Sequence, residues 1–192
     1  MRMVWKSMQM EKYGIPKDVL SKFEHVITKY YVPNKGSNEG DEKFREAMEK
    51  YLTKEQLFNL WEQHGGCQGT GHDKERKAFA LAHADKPLPK RLEMYLKTVG
   101  KGYCEVSKKS VVLDTKKKTL TVPFTCNHGF KHMREGSIKT SLQFYYECCA
   151  GGRLYEFQKA LGIKLKIKSV EVPADISYEN PVMFTFEIVN GV

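Results

Sequence analysis

Three of the five cysteines and two of the six histidines fall within residues 125–157, TCNHGFKHMREGSIKTSLQFYYECCAGGRLYEF. Thiolate sulfur and imidazole nitrogen are the usual ligands of zinc and other borderline or soft metals, so Cys126, His128, His132, Cys148 and Cys149 form a candidate metal set. The paired C-x-x-C spacing of a structural zinc site is not among them. The same residues also permit a nucleophilic thiol. Cys149 precedes Ala150, Gly151 and Gly152 at the expected start of a helix, where unpaired amides and the helix dipole stabilise a thiolate. His128 or His132 can then serve as base, with Glu147 to orient it. A third reading makes the cysteines small buried hydrophobes. On that reading Phe144, Tyr145, Tyr146 and Tyr155 are core; otherwise they can line an apolar cavity.

A second group, HGGCQGTGH, brings His64, Cys67 and His72 into a glycine-rich turn. A helix C-terminus followed by a loop accounts for it, and the glycines match no phosphate-loop spacing because no strand precedes them and no G-K-[ST] follows.

The elements that must position these residues change character near Gly102. KDVLSKFEHVITKYY places Val19, Phe23, Val26, Ile27 and Tyr30 at helical spacing. DEKFREAMEKYLTKEQLFNLWEQHGG continues the pattern with Phe44, Met48, Tyr51, Leu52, Leu57, Leu60 and Trp61, capped by Asp41 and ended by Gly65 and Gly66. HDKERKAFALAHA and PLPKRLEMYLKTVG are further helices. After Gly102, YCEVS, SVVLDT, TLTVPFTC, IKLKIKSVEV and PVMFTFEIV are short β-branched or alternating segments separated by turns. TSLQFYYEC reads as one more strand, and GGRLYEFQKALG as a helix burying Leu154, Phe157 and Leu161. The expected class is α+β: a helical region over residues 1–100, then an α/β ligand-binding domain over 101–192 whose antiparallel sheet is crossed by one helix, the two forming one unit. PNKGSNEG, residues 33–40, is the one joint. This arrangement carries Cys126 and one of Cys148 and Cys149 to the same sheet edge, because adjacent residues of a strand face opposite sides.

Composition bounds the class. With 192 residues and 41% hydrophobic content, the chain can bury a core without crosslinks. It has no apolar run of signal-peptide length and nothing near the ~20 apolar residues of a membrane span, so a cytoplasmic location is expected. In that reducing compartment five cysteines are thiols or ligands rather than a disulfide framework. The net charge of +9 comes from lysines spread along the chain; SKKS and DTKKKTL read as turns and edge-strand guards without interleaved aromatics, and no specific nucleic acid partner is expected.

The run ECCAGGRLYEFQKALGIKLKIKSVEV, followed by the FTFEI strand, resembles the end of 4-vinyl-reductase-like and aminothiazoline-carboxylate hydrolase-like domains. These combine a C-x-C or C-x-A-G element, a helix ending in glycine, a strand and a last hairpin, and the likeness spans residues 92–189. Their last hairpin often reads G-D-x-C-x-F; here SYENPVMFTF puts Met183 where a cysteine is often found, so one thiol ligand is missing. The resemblance implies a small-molecule-binding or sensor domain. Zinc or another transition metal at the Cys/His set is the expected cofactor, and a small molecule the expected partner. The alternative it implies is a cysteine-dependent hydrolase acting on a C–N or thiazoline-type bond. Such domains often associate, and Phe58, Trp61 and Phe79 make the helical half rich in large apolar groups, so a homodimer is expected.

Overall fold

The structure, a computed structural model, describes residues 10–30, 38–64, 72–98 and 111–190. Among the described residues, after a short 3-10 turn at Glu11–Tyr13, five helices occupy the N-terminal half: α1 (Lys17–Tyr30), α2 (Asn38–Tyr51), α3 (Lys54–His64), α4 (Asp73–Ala82) and α5 (Leu88–Thr98). Four of them turn an apolar stripe inward: Phe23 and Val26 on α1, Phe44 and Met48 on α2, Leu57, Leu60 and Trp61 on α3, Leu88, Leu92 and Tyr95 on α5 are all buried, whereas the one buried residue of α4 is Arg76.

The expected single helix from Asp41 to the glycines is two helices. Thr53 Oγ1 accepts from the Gln56 N–H at 3.3 Å, and the Gln56 side chain accepts from the Thr53 N–H at 2.9 Å. This reciprocal capping box starts α3. Asp41 lies inside the first turn rather than at the cap position, because α2 already begins at Asn38; the last residues of the expected joint, Asn38 to Gly40, open the helix. Residues 33–37, Gly65, Gly66, Cys67, Cys104 and the YCEVS strand lie outside the described residues.

Four strands, β1 (Val112–Asp114), β2 (Thr119–Phe124), β3 (Lys164–Glu171) and β4 (Val182–Asn190), form an antiparallel sheet in the order β1-β2-β4-β3. Val122 stands opposite Phe184, and Ile167 opposite Phe186. These residues, with Leu120, Phe124, Leu165, Val182 and Ile188, bury one face. The outer edge of β3 is closed by side chains: Gln158 accepts from Leu165 N and Glu62 from Ile167 N, both at 2.8 Å, while Gln143 donates to Val170 O at 3.0 Å. An edge covered this way offers no template to another strand.

Between β2 and β3 come α6 (Asn127–Arg134) and the 20-residue α7 (Leu142–Leu161). Here the expectation of a strand at TSLQFYYEC is corrected: all of Leu142–Cys148 is helical, and Cys148 and Cys149 lie in mid-helix. Ser141 caps α7 by accepting from Phe144 N at 3.1 Å, and its own N–H is held by the Glu49 carboxylate at 3.1 and 3.2 Å. At the other end Gly162 takes the left-handed conformation at φ 63°, and Arg91 donates to Leu161 O at 2.5 Å. The sheet packs on one side of α7 and α3, α4 and α5 on another, so the helix shows no wide solvent face. The buried residues of both halves form one core.

Trp61 belongs to that core, stacked edgewise on Phe144 at 5.4 Å, and Phe58 and Phe79 pack against it partly buried. Among the described residues no helix is long and apolar enough to cross a membrane.

Candidate functional site

Cys126, with one residue between it and β2, is the N-cap of α6: its backbone is extended and its Sγ accepts from the Gly129 N–H at 3.3 Å. Cys126 and His128 thus belong to the cap and the first turn of one helix. Across from it, Tyr146 and Cys149 lie three residues apart on α7 and share a face. Cys126, Tyr146 and Cys149 are 5%, 0% and 6% exposed, so solvent is excluded from all three. Gly129 closes the gap. A Cβ at that position would stand 3.2 Å from Tyr146 Oη, 3.4 Å from the Tyr145 ring and 3.5 Å from Cys126 Cβ.

The Tyr146 hydroxyl is buried and has no hydrogen-bond partner. Burial pushes its pKa above the ordinary 10.0, and the neighbouring Cys149 and Cys126 push it further the same way. The phenol accordingly keeps its proton and stands as a donor among sulfurs. Its ring meets Phe124 edgewise at 6.3 Å and Tyr145 at 5.2 Å. On the outer side Tyr178, from the loop between β3 and β4, donates to Asn127 Oδ1 and packs on Phe130 at 5.6 Å, fastening the first turn of α6.

This geometry removes the expected helix start from Cys149 and places one at Cys126. Cys149 has a preceding helical turn and no exposed N-terminal amides around it, whereas Cys126 has both an N–H and a helix N-terminus. Cys148, the next residue along α7, is half-buried and, being a helical neighbour, points about 100° away from Cys149. Glu147, expected to orient a base, is buried and held by Gln143 Nε2 at 2.8 Å, the amide that also binds β3. His132 Nδ1 is 2.6 Å from Ser137 Oγ at the far end of α6. The His128 side chain is outside the described residues. Among the described residues no group of three or more His, Cys, Asp or Glu side chains is placed to hold a metal ion. Of the second cluster, His72 is exposed at the start of α4.

A second polar cluster fills the opposite half of α7. Arg153, 3% exposed, pairs with Glu156, which also accepts from Tyr95 Oη at 2.8 Å. Arg76, 5% exposed, pairs with Asp73 at 3.4 Å, and Asp73 accepts from Tyr155 Oη. Burial and the Asp73 carboxylate push Tyr155 up to about 12, and burial with Glu156 raises Tyr95 too. The Arg153 guanidinium lies 5.8 Å above the Phe124 ring, so Phe124 touches both clusters.

The sequence reading missed Gly129, the Tyr146 hydroxyl and the whole charged cluster. A signal existed for the last. Arg76 and Arg153 each occupy an inward position beside Phe79 and Leu154, where a cation needs a carboxylate within a turn, and Asp73 and Glu156 supply it at three-residue spacing. Comparison with protein-family models, curated proteins and solved structures finds no match.

Proposed function

We propose that the chain is a small-molecule-binding or sensor domain whose ligand is received among Cys126, Tyr146 and Cys149, in keeping with the resemblance of its C-terminal half to 4-vinyl-reductase-like and aminothiazoline-carboxylate hydrolase-like domains. One observation carries this: a fully buried hydroxyl without a partner, in the neighbourhood of Cys126 and Cys149 and beside the smallest residue. Leaving a buried hydroxyl unbonded costs about 1–3 kcal/mol, a cost that a bound acceptor offsets. A zinc or other transition-metal ion bound here would take Cys126 and Cys149 as thiolate ligands; metal analysis of anaerobically purified protein against the Cys126→Ser variant measures that occupancy.

The test uses methyl methanethiosulfonate, a small thiol reagent, on the folded chain. Cys126 should be modified in the parent protein, and Gly129→Ala should slow that modification at least about tenfold while circular dichroism stays unchanged, since alanine in a helix interior is preferred over glycine by about 1 kcal/mol. Equal rates in the two proteins, or an inert Cys126 in both, would remove the cluster as a ligand site.

A further inference from the structure

The surroundings of Cys126 select a kind of ligand. Its sulfur receives the Gly129 N–H and sits at the positive end of α6, conditions that favour thiolate over thiol. The residue is 5% exposed. Beside it stands the Tyr146 hydroxyl, completely buried and without a partner, a donor suited to an oxygen atom that gains negative charge. A thiolate and a donor for a leaving oxygen are what the two-electron reduction of a peroxide by sulfur needs.

We infer that Cys126 reduces a small hydroperoxide and is converted to its sulfenic acid, with Tyr146 as the positioning hydroxyl; this rests on the reading of the cluster as the ligand site. The sulfur attacks the terminal oxygen of the peroxide, the S–O bond forms as the O–O bond breaks, and the terminal hydroxyl stays on sulfur. Sulfur gives up the two electrons that the peroxide takes. The second oxygen leaves as hydroxide or alkoxide, hydrogen-bonded by Tyr146 Oη, and takes a proton from water. Tyr146 keeps its own proton throughout, as its raised pKa requires. A low-molecular-weight thiol reverses the product by reduction.

The experiment treats the full chain with less than one equivalent of hydrogen peroxide in the presence of dimedone, followed by peptide mass spectrometry. Cys126 should carry the dimedone adduct ahead of the more exposed Cys148, and should still carry it in Cys149→Ser. Tyr146→Phe should slow adduct formation about tenfold, the rate equivalent of one modest hydrogen bond, with its circular dichroism unchanged. An adduct on Cys148 first, or none on Cys126, would overturn the inference. Modification of Cys126 by methyl methanethiosulfonate without a dimedone adduct would overturn the peroxide chemistry and leave the ligand site standing. Failure of both reagents at Cys126 would remove the two together.

Discussion

In its C-terminal half α7 brings Arg153, Tyr155 and Glu156 against Asp73, Arg76 and Tyr95; in its N-terminal half it brings Tyr146 and Cys149 against Cys126 and Gly129. Both groups are buried in the same core. In the first, two arginines meet two carboxylates and both phenols donate to those carboxylates, so the charges cancel. In the second, a phenol of the same type has nothing to donate to. A helix buried on several sides must satisfy its polar groups from within the fold or hold them ready for something from outside. The charged cluster pairs its carboxylates and phenols within the fold, although Arg153 Nε is left without a hydrogen-bond partner, and it fastens α4 and α5 to α7; in the thiol cluster it is the phenol itself that lacks one.

The largest effect should come from breaking the balance of the first cluster. Glu156→Ala leaves Arg153 buried beside Phe124 without its carboxylate and Tyr95 without its acceptor, and should cost about 3–5 kcal/mol in urea denaturation. The double replacement of Arg153 and Glu156 by methionine should recover most of that loss. A loss below about 1 kcal/mol in the single variant would mean that the pair is solvated and the two clusters do not differ in kind.

A moderate effect is expected at alkaline pH. The folded chain holds the Tyr155 proton more tightly than the unfolded one, with a pKa of about 12 against an ordinary 10.0. The stability this contributes is present below pH 10 and is lost as pH rises from 10 towards 12. Tyr155→Phe should therefore be less stable than the parent at pH 8, and the gap should narrow across that interval. A gap that is constant with pH would detach Tyr155 from Asp73.

The smallest effect lies at the sheet edge. Burial raises the pKa of Glu62 above 4.5 even though Ile167 N–H, Lys166 and Lys164 pull it down. A carboxyl whose folded pKa is raised is favoured protonated, so its ionisation removes stability as pH rises through the interval above 4.5. Glu62→Gln keeps an acceptor for Ile167 N–H and should be slightly more stable than the parent at pH 7, the two converging below pH 4.5. An unchanged difference across this range would show that burial does not govern Glu62.

How much of this was legible depends on how each residue meets solvent. The N-terminal helices and β3 each have a polar face, so their periods were readable in residues such as Phe23, Val26, Leu165 and Ile167. The break between α2 and α3 was also readable, in Thr53 and Gln56. SLQFYYECCAGG was not. A helix covered by a sheet on one side and by helices on another has no polar stripe, and its aromatic run mimics a strand while Gly151 and Gly152 mimic a break. That one error displaced Cys149 from mid-helix to a helix start and hid Cys126 as the capped thiol. Whether a tyrosine hydroxyl has a partner depends on contacts far apart in the chain, as between Tyr95 and Glu156, and no local pattern records it.

The two buried phenols Tyr95 and Tyr146 on one core differ because one is satisfied and the other is not. Urea denaturation of Tyr95→Phe and Tyr146→Phe, measured side by side at pH 7, tests it directly. Tyr95→Phe removes a hydrogen bond to a carboxylate and should cost about 1.5–3 kcal/mol; Tyr146→Phe removes a hydroxyl without a partner and should cost nothing or stabilise by about 1 kcal/mol. Equal losses in the two variants would mean that Tyr146 is bonded within the fold, and would contradict the account.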